Sequence, residues 1–77
     1  MKTQHTRRYK KLLAELRNAR KGAKLTQLEV AKKLGKHAPF VSKIESGERR
    51  VDVIELSELC GIYQISLLRF LKSIGLE

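Results

Sequence analysis

Carboxylates are scarce in this chain, cysteine and histidine scarcer still, and long apolar runs are missing from its 77 residues. No apolar stretch approaches the roughly 20 residues needed to span a bilayer. The opening MKTQHTRRYKK carries charge but not the apolar region of an export signal, so a cytoplasmic location is expected. A single cysteine cannot form an internal disulfide, and Cys60, following Leu56 and Leu59 on an apolar helix, reads as a small buried hydrophobe. His5, His37 and Cys60 lack the spacing of a metal site. No nucleophile stands beside a base and no glycine-rich phosphate loop occurs, so neither catalysis nor a cofactor is expected. Repeats, low-complexity tracts and linkers are absent too. The chain therefore reads as one domain over 1–77, with residues 1–5 as a flexible arm.

What the chain has in excess is positive charge. Lysine and arginine number 17 against 8 aspartates and glutamates. Residues 1–50 hold 15 basic and 4 acidic side chains, whereas residues 51–77 hold 2 and 4. Lysines that merely solvate helix faces would not be sorted by region, so the imbalance points to a polyanion bound by the first part and another task for the last. A domain this small is near the lower limit for a self-sufficient core, and self-association would supplement it.

The pattern is helical throughout. Tyr9, Leu12, Leu13, Leu16 and Ala19 follow the spacing of an amphipathic helix over about Thr6 to Lys21, which Gly22 can end. Thr26 and Glu29 form a capping box, so a second helix starts at Gln27, runs through Val30, Ala31 and Leu34, and closes at Gly35. A third follows Lys36 and His37, with Val41 and Ile44 inward and Gly47 as its closing residue. Ala31 is small where two helices must cross closely, which suits a sharp helix-turn-helix corner. Asp52 and Glu55 make a second capping box opening a fourth helix, which carries Ile54, Leu56, Leu59 and Cys60 and stops at Gly61. A fifth runs from about Gln64 to Ser73.

In register, Gln27, Ala31, Gly35, Val41, Ile44, Glu45 and Gly47 resemble the Cro/C1-type helix-turn-helix of the XRE-like regulators, and PFVSKIESGERR is close to that family's wording. The resemblance covers roughly residues 9 to 71. It implies an all-α, compact, five-helix, lambda-repressor-like domain whose second and third helices form the motif. One departure stands out, because the family usually places a glycine where this chain has Lys24.

The resemblance also implies how double-stranded DNA would be met. With Val41 and Ile44 inward, the third helix turns Ala38, Pro39, Ser42 and Lys43 outward, with His37 at its entry; these are the expected base contacts. Ala38 and Pro39 cannot donate a hydrogen bond, leaving apolar contact with thymine methyls, Lys43 to guanine, and Ser42 or His37 to base or phosphate. Structural roles stay open for three residues: Pro39 presetting the first turn, His37 capping it, and Phe40 in the core. Phosphate contacts are expected from Thr26 and Gln27 at a helix N-terminus, from the exposed turn Arg49 and Arg50, and more weakly from Lys36. The family pairs an arginine late in the first helix with the glutamate ending the recognition helix; here these are Arg20 and Glu45.

The last helix, within 62–77, is the expected dimerisation element. Ile65, Leu68 and Leu71 lie around one face, and Leu67, Phe70 and Ile74 widen the apolar arc beyond one core contact, so Leu67, Phe70, Leu71 and Ile74 are the expected interface. The opposing account is that a tiny domain needs every apolar residue for its core. The expectation is a homodimeric, sequence-specific regulator, a repressor on an inverted-repeat operator, nucleoid-associated when bound. An antitoxin or adaptor that holds a protein partner such as a toxin is the alternative, and RNA binding comes third.

Overall fold

The computed structural model describes residues 6–76, so the arm expected at residues 1–5 lies outside the described residues. Five helices follow one another: α1 (Arg7–Gly22), α2 (Gln27–Leu34), α3 (Pro39–Ser46), α4 (Val53–Tyr63) and α5 (Leu67–Ser73). No strand occurs among the described residues, and no helix there is long and apolar enough to cross a membrane.

Local chemistry sets the helix starts. Thr6, Thr26, Asp52 and Ser66 each accept a hydrogen bond from the backbone N–H three residues on. At Thr26 and Asp52 the residue's own backbone N–H donates in return to the Glu29 or Glu55 carboxylate, which completes the capping box. α3 begins differently. Ala38 offers no side-chain cap, and Pro39 stands at the first helical position, where its missing N–H costs nothing. His37 does not cap with its ring; its carbonyl accepts the Phe40 N–H at 3.0 Å.

Helix ends depart from expectation in two places. Gly22 is the last residue of α1, but the left-handed residue is Lys24, at φ 61°. A lysine thus occupies the conformation for which the family uses glycine. Gly61 does not stop α4, which continues to Tyr63 and closes on Gln64 at φ 60°. Tyr63 is buried, and its packing holds the two further residues that glycine alone would disfavour. α5 consequently starts at Leu67, not Gln64. Gly35 and Gly47 do take the left-handed conformation, at φ 69° and 85°, and end α2 and α3.

One core joins all five helices. Leu12, Leu13 and Leu16 from α1 meet Val30 and Ala31, Val41 and Ile44, then Leu56, Leu59, Cys60 and Tyr63. Ala31 has no exposed surface, as a close crossing of α2 and α3 requires. Cys60 is buried and its thiol is pushed up by that burial, keeping it protonated at neutral pH. Phe70 and Ile74 complete this core at 5% and 3% exposure. These two cannot serve as a dimer surface, because the monomer already covers them. Leu67 and Leu71 are half-buried, and the exposed apolar residue of α5 is Leu68.

Candidate nucleic-acid interface

α3 has two faces with separate duties. Val41 and Ile44 point into the core at 1% exposure each, so the opposite side of the cylinder must face outward. His37, Ala38, Pro39 and Lys43 are all exposed there, and Ser42 is half-buried. The Ser42 hydroxyl donates to the Pro39 carbonyl at 3.0 Å, which uses its proton and leaves its oxygen to accept. Ser42 therefore suits a donor such as a cytosine or adenine amino group rather than a phosphate. Lys43 is the cation that this face presents.

Beneath α3 lies a fork between Arg20 and Glu45. Arg20 Nε donates to Glu45 Oε2 at 2.7 Å and Nη2 to Oε1 at 3.2 Å, while Nη1 donates to the Leu25 carbonyl at 2.9 Å. The fork fixes the end of α3 to α1 and to the loop before α2 at once. Hydrogen bonding to Glu45 raises the Arg20 pKa further, although burial works against it. Burial is also the chief reason that the nearby Tyr63 phenol is pushed up to about 12, with the Glu45 charge adding to it.

A family model described as helix-turn-helix matches residues 16–70 of this chain. The chain belongs to the XRE-like helix-turn-helix family. It is also similar to a solved XRE-family-like protein from Pseudomonas syringae pv. tomato str. DC3000, at 42% identity and a TM-score of 0.86, over 95% of this chain and 89% of that one. No curated protein matches. The fold is that of DNA-binding transcriptional regulators rather than of an enzyme family.

Against the XRE-like pattern, three expected phosphate ligands are already engaged. Thr26 is engaged by the capping box, its N–H donating to Glu29 at 2.8 Å and its hydroxyl oxygen accepting from the Glu29 N–H at 3.0 Å, which leaves the hydroxyl proton to donate. The hydrogen bonds from Thr26 hold the Glu29 carboxyl below its ordinary pKa, so an anion already sits at this helix end. Gln27 donates through Nε2 to Glu45 Oε1 at 2.9 Å, joining the buried fork instead of reaching outward. What this helix end still offers a phosphate is the backbone N–H of Gln27 and Leu28, the Thr26 hydroxyl proton and the second N–H of the Gln27 amide.

Arg49 is the third. It forks onto Glu55 at 2.9 and 2.8 Å, donates to the Arg50 carbonyl at 3.0 Å, and lies 4.6 Å from the Phe40 ring centroid. It braces the turn after α3, and these bonds leave its Nε–H and one Nη2 N–H on a side chain that is 41% exposed. The fork onto Arg49 lowers the Glu55 pKa. Lys36 flanks the same half-buried ring at 5.4 Å, so Phe40 packs on the core with a cation above it. Arg50 is exposed and stacks on Tyr9 at 4.9 Å.

Three contributors were missed in the sequence. Arg17 reaches Glu45 at 3.8 Å with 58% of its side chain exposed; its place one turn before Arg20 was a readable signal. Glu55 was read only as half of a capping box. Tyr9 was read as core, yet its hydroxyl accepts the Val51 N–H at 3.2 Å and ties the turn after α3 to the first turns of α1.

Proposed function

We propose that the protein is a sequence-specific, double-stranded DNA-binding transcriptional regulator that acts as a homodimeric repressor on an inverted-repeat operator. The observation that carries this reading is the division of α3: its inner face and end are bolted down by Val41, Ile44 and the Arg20–Glu45 fork, while Ala38, Pro39 and Lys43 on its outer face are exposed. A helix so held fits a major groove. Lys43 donates to guanine, Ser42 accepts, and Ala38 and Pro39 meet thymine methyls, with His37 at the edge. Lys36, Arg50 and the start of α2 hold phosphates on either side. The protein works in the cytoplasm, on the nucleoid.

Dimerisation through α5 rests on Leu68, 61% exposed, flanked by half-buried Leu67 and Leu71. Such a dimer would set two recognition helices about 34 Å apart, one turn of the duplex. In vitro selection from random duplexes tests the reading, with an inverted repeat as the expected product and salt-dependent binding to duplex but not to single strands. A selection that enriches no sequence would overturn it. A second reading, an adaptor that holds a protein such as a toxin, is favoured by Val53 and Ile54, adjacent on α4 and 64% and 66% exposed. Neither the core nor the DNA-facing surface uses them.

A further inference from the structure

The start of α1 reverses the charge that the two helices with capping boxes place in their first turns. α2 and α4 carry Glu29 and Glu55 in their first turns, where a negative charge is favoured by the helix dipole. α1 has no acidic residue there and opens instead on Arg7, Arg8 and Lys10. Lys11 adds a like charge four residues from Arg7 and three from Arg8, a spacing that brings the side chains together and costs stability. Among the described residues none of Arg7, Arg8 and Lys11 has an ion-pair partner. A cluster that works against its own helix calls for a ligand outside it.

Its position names the ligand. Arg7, Arg8 and Lys11 rim one shallow hollow with Ile74, and Arg8 shares the adjoining hollow with Arg50 and Tyr9. Tyr9 couples the two regions, stacking under Arg50 and accepting the Val51 N–H, so the cluster continues the surface of the turn that leaves α3. Beneath the cations, Leu12 and Ile74 are 8% and 3% exposed; apolar surface lines both hollows, with Leu76, 38% exposed, on the second, while Arg7, Arg8 and Lys11 stand exposed around them. Three exposed, mutually repelling cations that continue the turn after α3 suit a phosphate backbone, whose charge would relieve that repulsion.

We propose that Arg7, Arg8 and Lys11 form a second phosphate clamp, beside Arg50, on the same duplex that α3 reads. The inference rests on the DNA-binding reading above. Phosphate contacts position a protein without carrying sequence information, so the clamp adds affinity and salt dependence but no preference for bases.

The test compares the full chain with the variant Arg7→Gln, Arg8→Gln, Lys11→Gln on the selected duplex and on a scrambled one, between 50 and 200 mM salt. The expected slope of log affinity against log salt is shallower by about 2.7 on both duplexes, at about 0.9 per lost contact. The ratio of the two affinities should hold, and the melting temperature should stay level or rise as repulsion in α1 is relieved. Should the triple variant unfold, Arg8→Gln with Lys11→Gln gives the same decision with a change of about 1.8. An unchanged slope with duplex binding intact would overturn the clamp and leave the regulator reading standing. Failure of the wild-type chain to bind any duplex would instead overturn the reading beneath it.

Discussion

The Arg20–Glu45 fork beneath α3 and the Arg49–Glu55 fork beyond it use the same chemistry, yet their side chains are 10% and 4% exposed in the first and 41% and 15% in the second. Charges taken out of water are held by strong attraction but leave a large penalty when one partner is removed. In the wetter pair, water stands ready to replace the lost partner. The base of α3 is therefore rigidly specified, whereas the turn after it is braced but replaceable. That suits a recognition helix whose angle must be fixed and a flanking turn that adapts to a backbone.

The largest break in this comparison should come from Glu45→Ala. It strands Arg20 in the interior and releases Gln27, and should cost about 3 kcal/mol, seen as a clear drop in thermal melting temperature. A melting temperature that does not move would place Glu45 with the solvent-exposed carboxylates. The forks should also separate along the pH axis. Glu55 has a folded pKa below its unfolded value, so its contribution is present above the ordinary carboxylate range and lost as pH falls through the folded value. Tyr63, beside the buried fork, has a folded pKa raised to about 12 from 10, so stability should decline as pH rises between those values. Melting followed across both limbs, with tyrosinate absorbance on the alkaline side, checks the two signs; Tyr63 ionising at its ordinary pKa would contradict the second.

A smaller effect is expected at the outer fork. Arg49→Ala should cost under about 1 kcal/mol, and less in high salt. Because the guanidinium is already spent on Glu55, DNA affinity should fall without a change in salt slope. A slope shallower by about one unit would show Arg49 leaving Glu55 for a phosphate. The smallest change is expected from Lys24→Gly in the loop whose Leu25 carbonyl anchors Arg20. Relieving a left-handed lysine is offset in part by the freedom glycine gains when unfolded, leaving a gain of a few tenths to about 1 kcal/mol in chemical denaturation. A loss would mean that the Lys24 side chain stabilises the loop.

What could be read from the sequence was chemistry confined within a turn. The capping boxes at Thr26 and Asp52 involve residues three apart, and the left-handed glycines at 35 and 47 follow runs of helical spacing. Gly61 misled because glycine only weakens a helix, and whether α4 continues depends on how Tyr63 packs on distant residues. Phe70 and Ile74 misled for a related reason: periodicity shows which residues are apolar, not what covers them. For Arg49 the charge was evident but its partner was not, since Glu55 already had a local role. Arg20 and Glu45, 25 positions apart, were paired only through the family resemblance.

The separation of duties on α3 bears on how such a protein diverges. Ala38 and Lys43 are exposed, so drift at these positions is little held back by the need to fold. A duplicated copy with a new residue at 38 or 43 would keep its scaffold and its phosphate grip, and would begin by answering weakly to many sites. Selection could then sharpen one of them a base at a time, with no compensating repair inside the protein.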